Sequence, residues 1–232
     1  MTSDPGASAA VDLSGVTRVF DATPAVVRVD VRVDRGEAVL VRGPNGAGKS
    51  TLLAIIATLL STTYGSGTVL GFDLERERDE IRRRIDLLGH RTRLYEDLTA
   101  RENLRFACAL YGVEAERVDE ALATVGLADV GGERVRGFSH GMRQRVAVAR
   151  TLLREPELVL LDEPYAGLDE DARRVVDALI RGADASGRTV IMATHDEGAE
   201  LLVRRTIRMK AGAIVGDRRT EAVPHTLPRG RE

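Results

Sequence analysis

Apolar and polar residues alternate with a period of two along "VVRVDVRVD", residues 26–34, which is the pattern of a half-buried β-strand. The flanking stretches "VDLSGVTRVF" and "EAVLVRG" have the same character, so residues 11–41 are predicted to form short strands. Residues 51–60, "TLLAIIATLL", predict a helix, and "YGSGTVLGFDL" predicts a turn and a strand. A charged helix is expected over residues 75–84, followed by a short strand at Ile85, Asp86, Leu87 and Leu88. Residues 99–153 read as almost purely helical, opened by the capping-box spacing of Thr99 and Glu102 and stopped by Pro156. "ELVLLDEP" is a continuous apolar strand that ends in carboxylates. A helix (170–185), the strand "RTVIMAT", a helix (196–203) and a strand pair (206–217) complete the pattern. Strands alternating with helices imply an α/β core with a mostly parallel sheet, interrupted by a helical lobe at about 90–153. Residues 1–10 are expected to be a flexible leader, 11–219 one domain, and 220–232 a disordered tail with two prolines and no periodicity. No internal repeat is visible.

Composition narrows the function classes. The chain has 232 residues, 43% of them hydrophobic and 30% charged, as in ordinary globular proteins. A net charge of −2 gives no support for a nucleic-acid partner held by bulk electrostatics. Cys108 alone excludes an internal disulfide framework and fits a reducing compartment. "MTSDPGASAAVD" lacks the basic and apolar blocks of a signal peptide, and "LLAIIATLL" is half of what a membrane span needs. The expectation is a cytoplasmic protein that reaches a membrane through a partner.

The stretch "GPNGAGKST" stands between two apolar runs and packs three glycines and a lysine into nine residues. Lysine is rare here: Lys49 and Lys210 are the only two. Gly43, Pro44, Asn45, Gly46, Ala47, Gly48, Lys49, Ser50 and Thr51 fit G-x-x-x-x-G-K-[ST] after a strand and before a helix. Glycines let successive backbone N–H groups turn inward and form an anion nest at a helix N-terminus. Lys49 can reach β- and γ-phosphates as a compact charge where a wide guanidinium cannot. Ser50 offers a hydroxyl oxygen to Mg²⁺. The bland alternative is a glycine-rich turn with a solvated lysine. "LVLLDEP" places Asp162 and Glu163 at the carboxyl end of a buried strand, where ligands of α/β proteins sit. Asp162 suits the Mg²⁺ ion, and Glu163 suits an attacking water. Read alone, this pair is equally a solvated acidic turn.

About twenty residues before that strand, "FSHGMRQRVAVART" resembles the signature segment of ABC-type ATPases, usually written L-S-G-G-Q. The phosphate loop, the DE-terminated strand, "AGLD" and "ATHD" stand in that family's order over about residues 11–217. The resemblance implies a P-loop NTPase (RecA-like) core, an antiparallel β subdomain at the N-terminus, an inserted helical subdomain, and ATP and Mg²⁺ as cofactors. It assigns Phe20 to stacking on adenine, although a staple in a strand–turn would look the same. Ser139, His140 and Gly141 match signature positions that bind the γ-phosphate held by the opposite subunit. Asp169 matches the loop that crosses the dimer interface, and His195 matches the switch histidine that contacts the γ-phosphate and the glutamate-held water. A helix-capping histidine is the alternative for His195. The family's site is complete only when two domains close head to tail, and that cycle moves integral membrane permease subunits. The implied location is the cytoplasmic face of the cell membrane.

Three positions depart from the pattern. His140 replaces the first signature glycine and Met142 the glutamine. Counting back from Leu98 and Thr99, the coupling glutamine falls on His90, whose ring nitrogen suits magnesium poorly. His90 is therefore expected to act through water or as a hinge contact. Gly89-His90 followed by "LTARENLRF" resembles the ATP-binding subunit of the haem exporter in cytochrome c maturation. "SHGMRQR" also fits bacterial multidrug and lipid exporters. Two other classes fit less well. Soluble ABC proteins of repair or translation carry paired domains, a coiled-coil insertion or a basic arm. GTPases carry N-K-x-D, which two lysines at these positions do not supply.

Overall fold

The computed structural model describes residues 9–89 and 92–220. In chain order the elements are β1 (Ala9–Phe20), β2 (Thr23–Asp34), β3 (Ala38–Arg42), α1 (Lys49–Ile56), β4 (Tyr64–Val69), β5 (Phe72–Asp73), α2 (Arg78–Arg84) and β6 (Ile85–Leu88). Then come α3 (Ala100–Tyr111), α4 (Val118–Thr124), α5 (His140–Arg154), β7 (Leu158–Asp162), α6 (Glu170–Ser186), β8 (Thr189–Ala193), β9 (Arg205–Lys210) and β10 (Ala213–Arg219).

The strands form two sheets. One has the order β10-β9-β3-β8-β7-β6 and is parallel from β9 to β6, with β10 antiparallel at its edge. The other, β2-β1-β4-β5, is antiparallel. β2 shows the alternation read from the sequence: Val29 and Val33 are buried while Arg28, Asp30 and Arg32 are exposed.

The unbroken apolar runs of β7 and β8 have a different cause, because both faces of the parallel sheet are covered. Val159, Leu161, Val190 and Met192 share one core with Leu104, Leu122, Val146 and Val176 of the helices α3 to α6. Leu158, Leu160, Ile191 and Ala193 point the other way, into a core with Leu52, Leu53 and Ile56 of α1 and Val11, Val16 and Val29 of the antiparallel sheet. Uncovering that second face would forfeit about 1.5–3 kcal/mol for each large side chain, which ties the antiparallel sheet and α1 to the domain.

Three elements differ from the sequence reading. β1 begins at Ala9 with Ala10 fully buried, so the last residues expected in the leader are strand. The block at 99–153 is not one helical run, because residues 125–139 leave α4 and reach α5 by an irregular path with a single 3₁₀ turn at Val135–Gly137. Their backbone is bonded to the segment before α3 and to its first turn instead: Val135 N–H donates to Leu98 C=O at 3.0 Å and Arg101 N–H to Gly131 C=O at 2.9 Å. The helix expected at 196–203 is a 3₁₀ turn, Glu197–Leu202. Residues 1–8, His90 and the tail beyond Thr220 lie outside the described residues, and with them the expectations placed there.

Candidate active site

The phosphate-loop segment, residues 43–51, leaves the end of β3 and enters α1. Its glycines are there for space as well as rotation. Gly48 has φ +96°, and a Cβ on it would stand 2.3 Å from the Ala25 carbonyl oxygen. A Cβ on Gly43 would stand 2.3 Å from the Met209 carbonyl oxygen. The loop is thus wedged between the β1–β2 hairpin and the turn after β9, where Gly212 N–H donates to Ala47 C=O at 3.1 Å. Gly48 occupies the N-cap of α1 with no side chain bonded to the helix start and no acidic residue in its first turn. An anion is the natural complement of such a terminus.

Lys49 is buried, and its Nζ donates to the carbonyls of Gly43 (2.8 Å) and Pro44 (3.3 Å), which fixes the ammonium over the loop. Glu163 Oε1 lies 3.9 Å from it. Ser50 Oγ donates to Asp162 Oδ1 at 2.9 Å across 112 positions of sequence. This convergence follows from the sheet order. β3 and β7 flank β8, with Val41 and Asp162 both registered on Ala193.

The residues after Ala193 therefore emerge between the phosphate loop and the carboxylates. His195 Nδ1 is 2.9 Å from Glu163 Oε2, and Thr194 Oγ1 donates to the same oxygen at 3.0 Å. Glu163 itself adopts φ +49°, a left-handed conformation uncommon for a non-glycine residue, and its N–H donates to Ala193 C=O at 2.7 Å. Local strain of this kind gathers where a side chain must be aimed.

Two hard oxygen donors side by side, Ser50 and Asp162, fit Mg²⁺. The ion is ordinarily held by one or two protein oxygens together with substrate phosphates. Among the described residues no cluster of three or more His, Cys, Asp or Glu could hold a metal without such help.

Ser139, His140 and Gly141 are gathered elsewhere. Ser139 caps α5, its Oγ accepting from Met142 N–H at 3.1 Å. His140 Nε2 lies 3.1 Å from the Ala166 carbonyl oxygen, with its ring against Gly167. Gly141 packs on Asp169, whose Oδ1 accepts from Ala172 N–H at 2.8 Å and starts α6. The side chain at position 140 is thus accommodated by turning onto the loop at 166–169. Phe20 ends β1, is 38% exposed, and carries the Arg18 guanidinium over its ring at 4.5 Å. Sequence reasoning passed over Thr194, whose hydroxyl reaches Glu163. Thr194 stands inside "ATHD", where a hydroxyl beside a switch residue was a usable signal.

Comparison with known proteins identifies the family. A family model described as ABC transporter (ABC_tran) matches residues 26–166. The daunorubicin resistance ATP-binding protein DrrA3 of Streptomyces coeruleorubidus is 38% identical over 216 residues, covering 91% of this chain and 68% of that protein. The cytochrome c biogenesis ATP-binding export protein CcmA of Xanthomonas oryzae pv. oryzae is 41% identical over 192 residues, covering 82% and 89%. A solved ATP-binding cassette, a dimer in a post-hydrolysis state bound to ADP and Pi, superposes with a TM-score of 0.83 at 28% identity, covering 91% of this chain and 99% of that one. With residues 43–51, Asp162, Glu163 and His195 brought together at the carboxyl ends of β3, β7 and β8, the chain belongs to the ABC transporter family as an ATP-binding cassette, which takes ATP with Mg²⁺.

Proposed function

We propose that this chain is the ATP-hydrolysing subunit of an exporter and works as a head-to-tail pair beneath separate membrane permease subunits. The observation that carries the reading is the meeting of Lys49, Ser50, Asp162, Glu163 and His195, drawn from three separate segments, around one anion-favouring helix start. Lys49 and the loop amides hold the β- and γ-phosphates. Ser50 and Asp162 hold Mg²⁺, which when bound neutralises phosphate charge. Glu163 polarises the attacking water, with His195 and Thr194 fixing its carboxylate. Phe20 offers a partly open ring to adenine.

Ser139, His140, Gly141 and Asp169 form the second half-site, directed at the nucleotide of the opposite subunit. Substituting Ser139 with arginine is expected to block hydrolysis while ATP binding by the single chain persists. Parallel loss of both would count against a shared site.

Among the described residues no helix is long and apolar enough to cross a membrane, and in this reading the permease subunits supply the membrane path. A cavity of about 310 Å³ between β6 and the helical lobe is the surface offered to them. Tyr95, Phe106, Leu110 and Tyr111 on its walls are all more than 40% exposed. Membrane association on the cytoplasmic face follows from that contact.

Haem export for cytochrome c maturation is the cargo suggested by Gly89-His90 and "LTARENL". The similarity to a drug-resistance protein over 91% of the chain supports a multidrug or lipid exporter equally. Since the membrane subunits contact the cargo, stimulation of the reconstituted complex's ATPase by haem, against stimulation by an amphipathic drug, separates the two.

A further inference from the structure

His195 is 74% exposed at its side chain, yet it must meet Glu163 reproducibly. The segment that carries it is braced from an unexpected direction. Asp196, the next residue, receives both terminal nitrogens of Arg173 on one carboxylate oxygen, Nη1 at 3.1 Å and Nη2 closer still. Its other oxygen accepts from Gly198 N–H at 2.9 Å, and its own N–H donates to Thr194 Oγ1 at 3.2 Å. Thr194 Oγ1 is the hydroxyl bonded to Glu163. Arg173 also lies over the Tyr165 ring, 4.8 Å from its centroid, and Tyr165 is buried with its hydroxyl donating to Asp177 Oδ1 at 2.7 Å. One guanidinium therefore grips both sides of Glu163: the turn that follows it in sequence and the switch segment that faces it.

We propose that Arg173 is a positioning residue for ATP hydrolysis, holding Thr194 and His195 against Glu163 through Asp196. The proposal rests on Glu163 and His195 being the hydrolytic pair. Arg173 stands in the first turn of α6, whose start is capped by Asp169. A shift of Asp169 when the opposite subunit closes is thereby passed to the switch segment along a few residues of rigid helix. The electrostatics keep the grip engaged. Burial pushes the Asp196 carboxyl up, but Arg173, the Gly198 amide and His195 outweigh it and hold it below the usual carboxylate range. Burial, reinforced by Asp177, pushes the Tyr165 phenol far up, so it stays a neutral donor.

The test is a double-mutant cycle of Arg173→Met and Asp196→Asn in the full chain, reading kcat and KM for ATP and the Kd of a fluorescent ATP analogue. Each single substitution is expected to lower kcat by about tenfold or more with Kd changed less than about twofold, and the double to be no slower than the worse single. An unchanged kcat, a Kd that weakens in step with kcat, or losses that multiply in the double would each overturn the proposal. If Arg173→Met does not fold, Asp196→Asn decides alone, since an amide retains the oxygen facing Gly198. A lowered kcat with Kd preserved then supports the proposal, and a normal kcat overturns it. Glu163→Gln run alongside separates the two levels: normal turnover there removes the reading of the site itself, whereas a normal Arg173 variant beside an inactive Glu163→Gln removes only the clamp.

Discussion

Replacing Glu163 with glutamine is expected to leave ATP binding intact, to cut steady-state phosphate release by about 10²–10⁴-fold, and to accumulate a closed pair of subunits. The replacement is nearly isosteric. Its amide oxygen can still accept from Thr194 Oγ1 and from His195, so the left-handed turn at position 163 keeps its anchors. What is lost is the negative charge that draws a proton from water. The Ser50–Asp162 pair is untouched, and Lys49 keeps its bonds to the Gly43 and Pro44 carbonyls while losing only its pairing with Glu163 at 3.9 Å, so the nucleotide enters and stays. Phosphate release and size-exclusion chromatography with ATP read the two consequences separately. Normal steady-state hydrolysis would remove Glu163 from its role.

Lys49→Ala acts one step earlier. The ammonium is buried and pinned to two loop carbonyls, so its position is set before any phosphate arrives. A charge-assisted hydrogen bond of this kind is worth roughly 1.5–3 kcal/mol, or about 10–100-fold in affinity, and a second phosphate oxygen engaged by the same group adds to it. Titration with a fluorescent ATP analogue is expected to show binding weakened by about 100-fold or more. Wild-type affinity would mean that the helix terminus and glycine amides carry the site alone. The two variants are complementary, one failing to hold nucleotide and the other failing to consume it.

Much of this site was legible in the sequence because its chemistry is local. Residues 43–51 announce a loop between strand and helix, and Asp162 and Glu163 announce a strand end. Asp162 was read for the ion beside Ser50 and Glu163 for the water beside His195, but the geometry that brings these segments together depends on β8 lying between β3 and β7, and strand order is not written in any short window. The path of residues 125–139 escaped notice for a related reason. Gly126, Gly131, Gly132 and Gly137 were visible breakers in that stretch, but the apolar residues among them sustained a helical reading. Tertiary bonds to Leu98 and Arg101 settle the backbone there, together with a close approach in which a Cβ on Gly131 would stand 2.8 Å from Leu122 Cδ1. Arg173 was unreadable because its partners lie eight positions before and 23 positions after it, held together only by the fold.

The placement of β8 carries one more consequence. Its five residues are buried, and it is hydrogen-bonded on both flanks, to the strand that delivers the phosphate loop and to the strand that delivers the carboxylates. The candidate site therefore has no hinge of its own within this sheet: loss of one arm is expected to take the other with it, and fraying to start at the margins, β6 and β10. Nucleotide bound across the three strand ends consequently acts as a staple on the whole scaffold, and occupancy becomes a determinant of how long the folded chain survives.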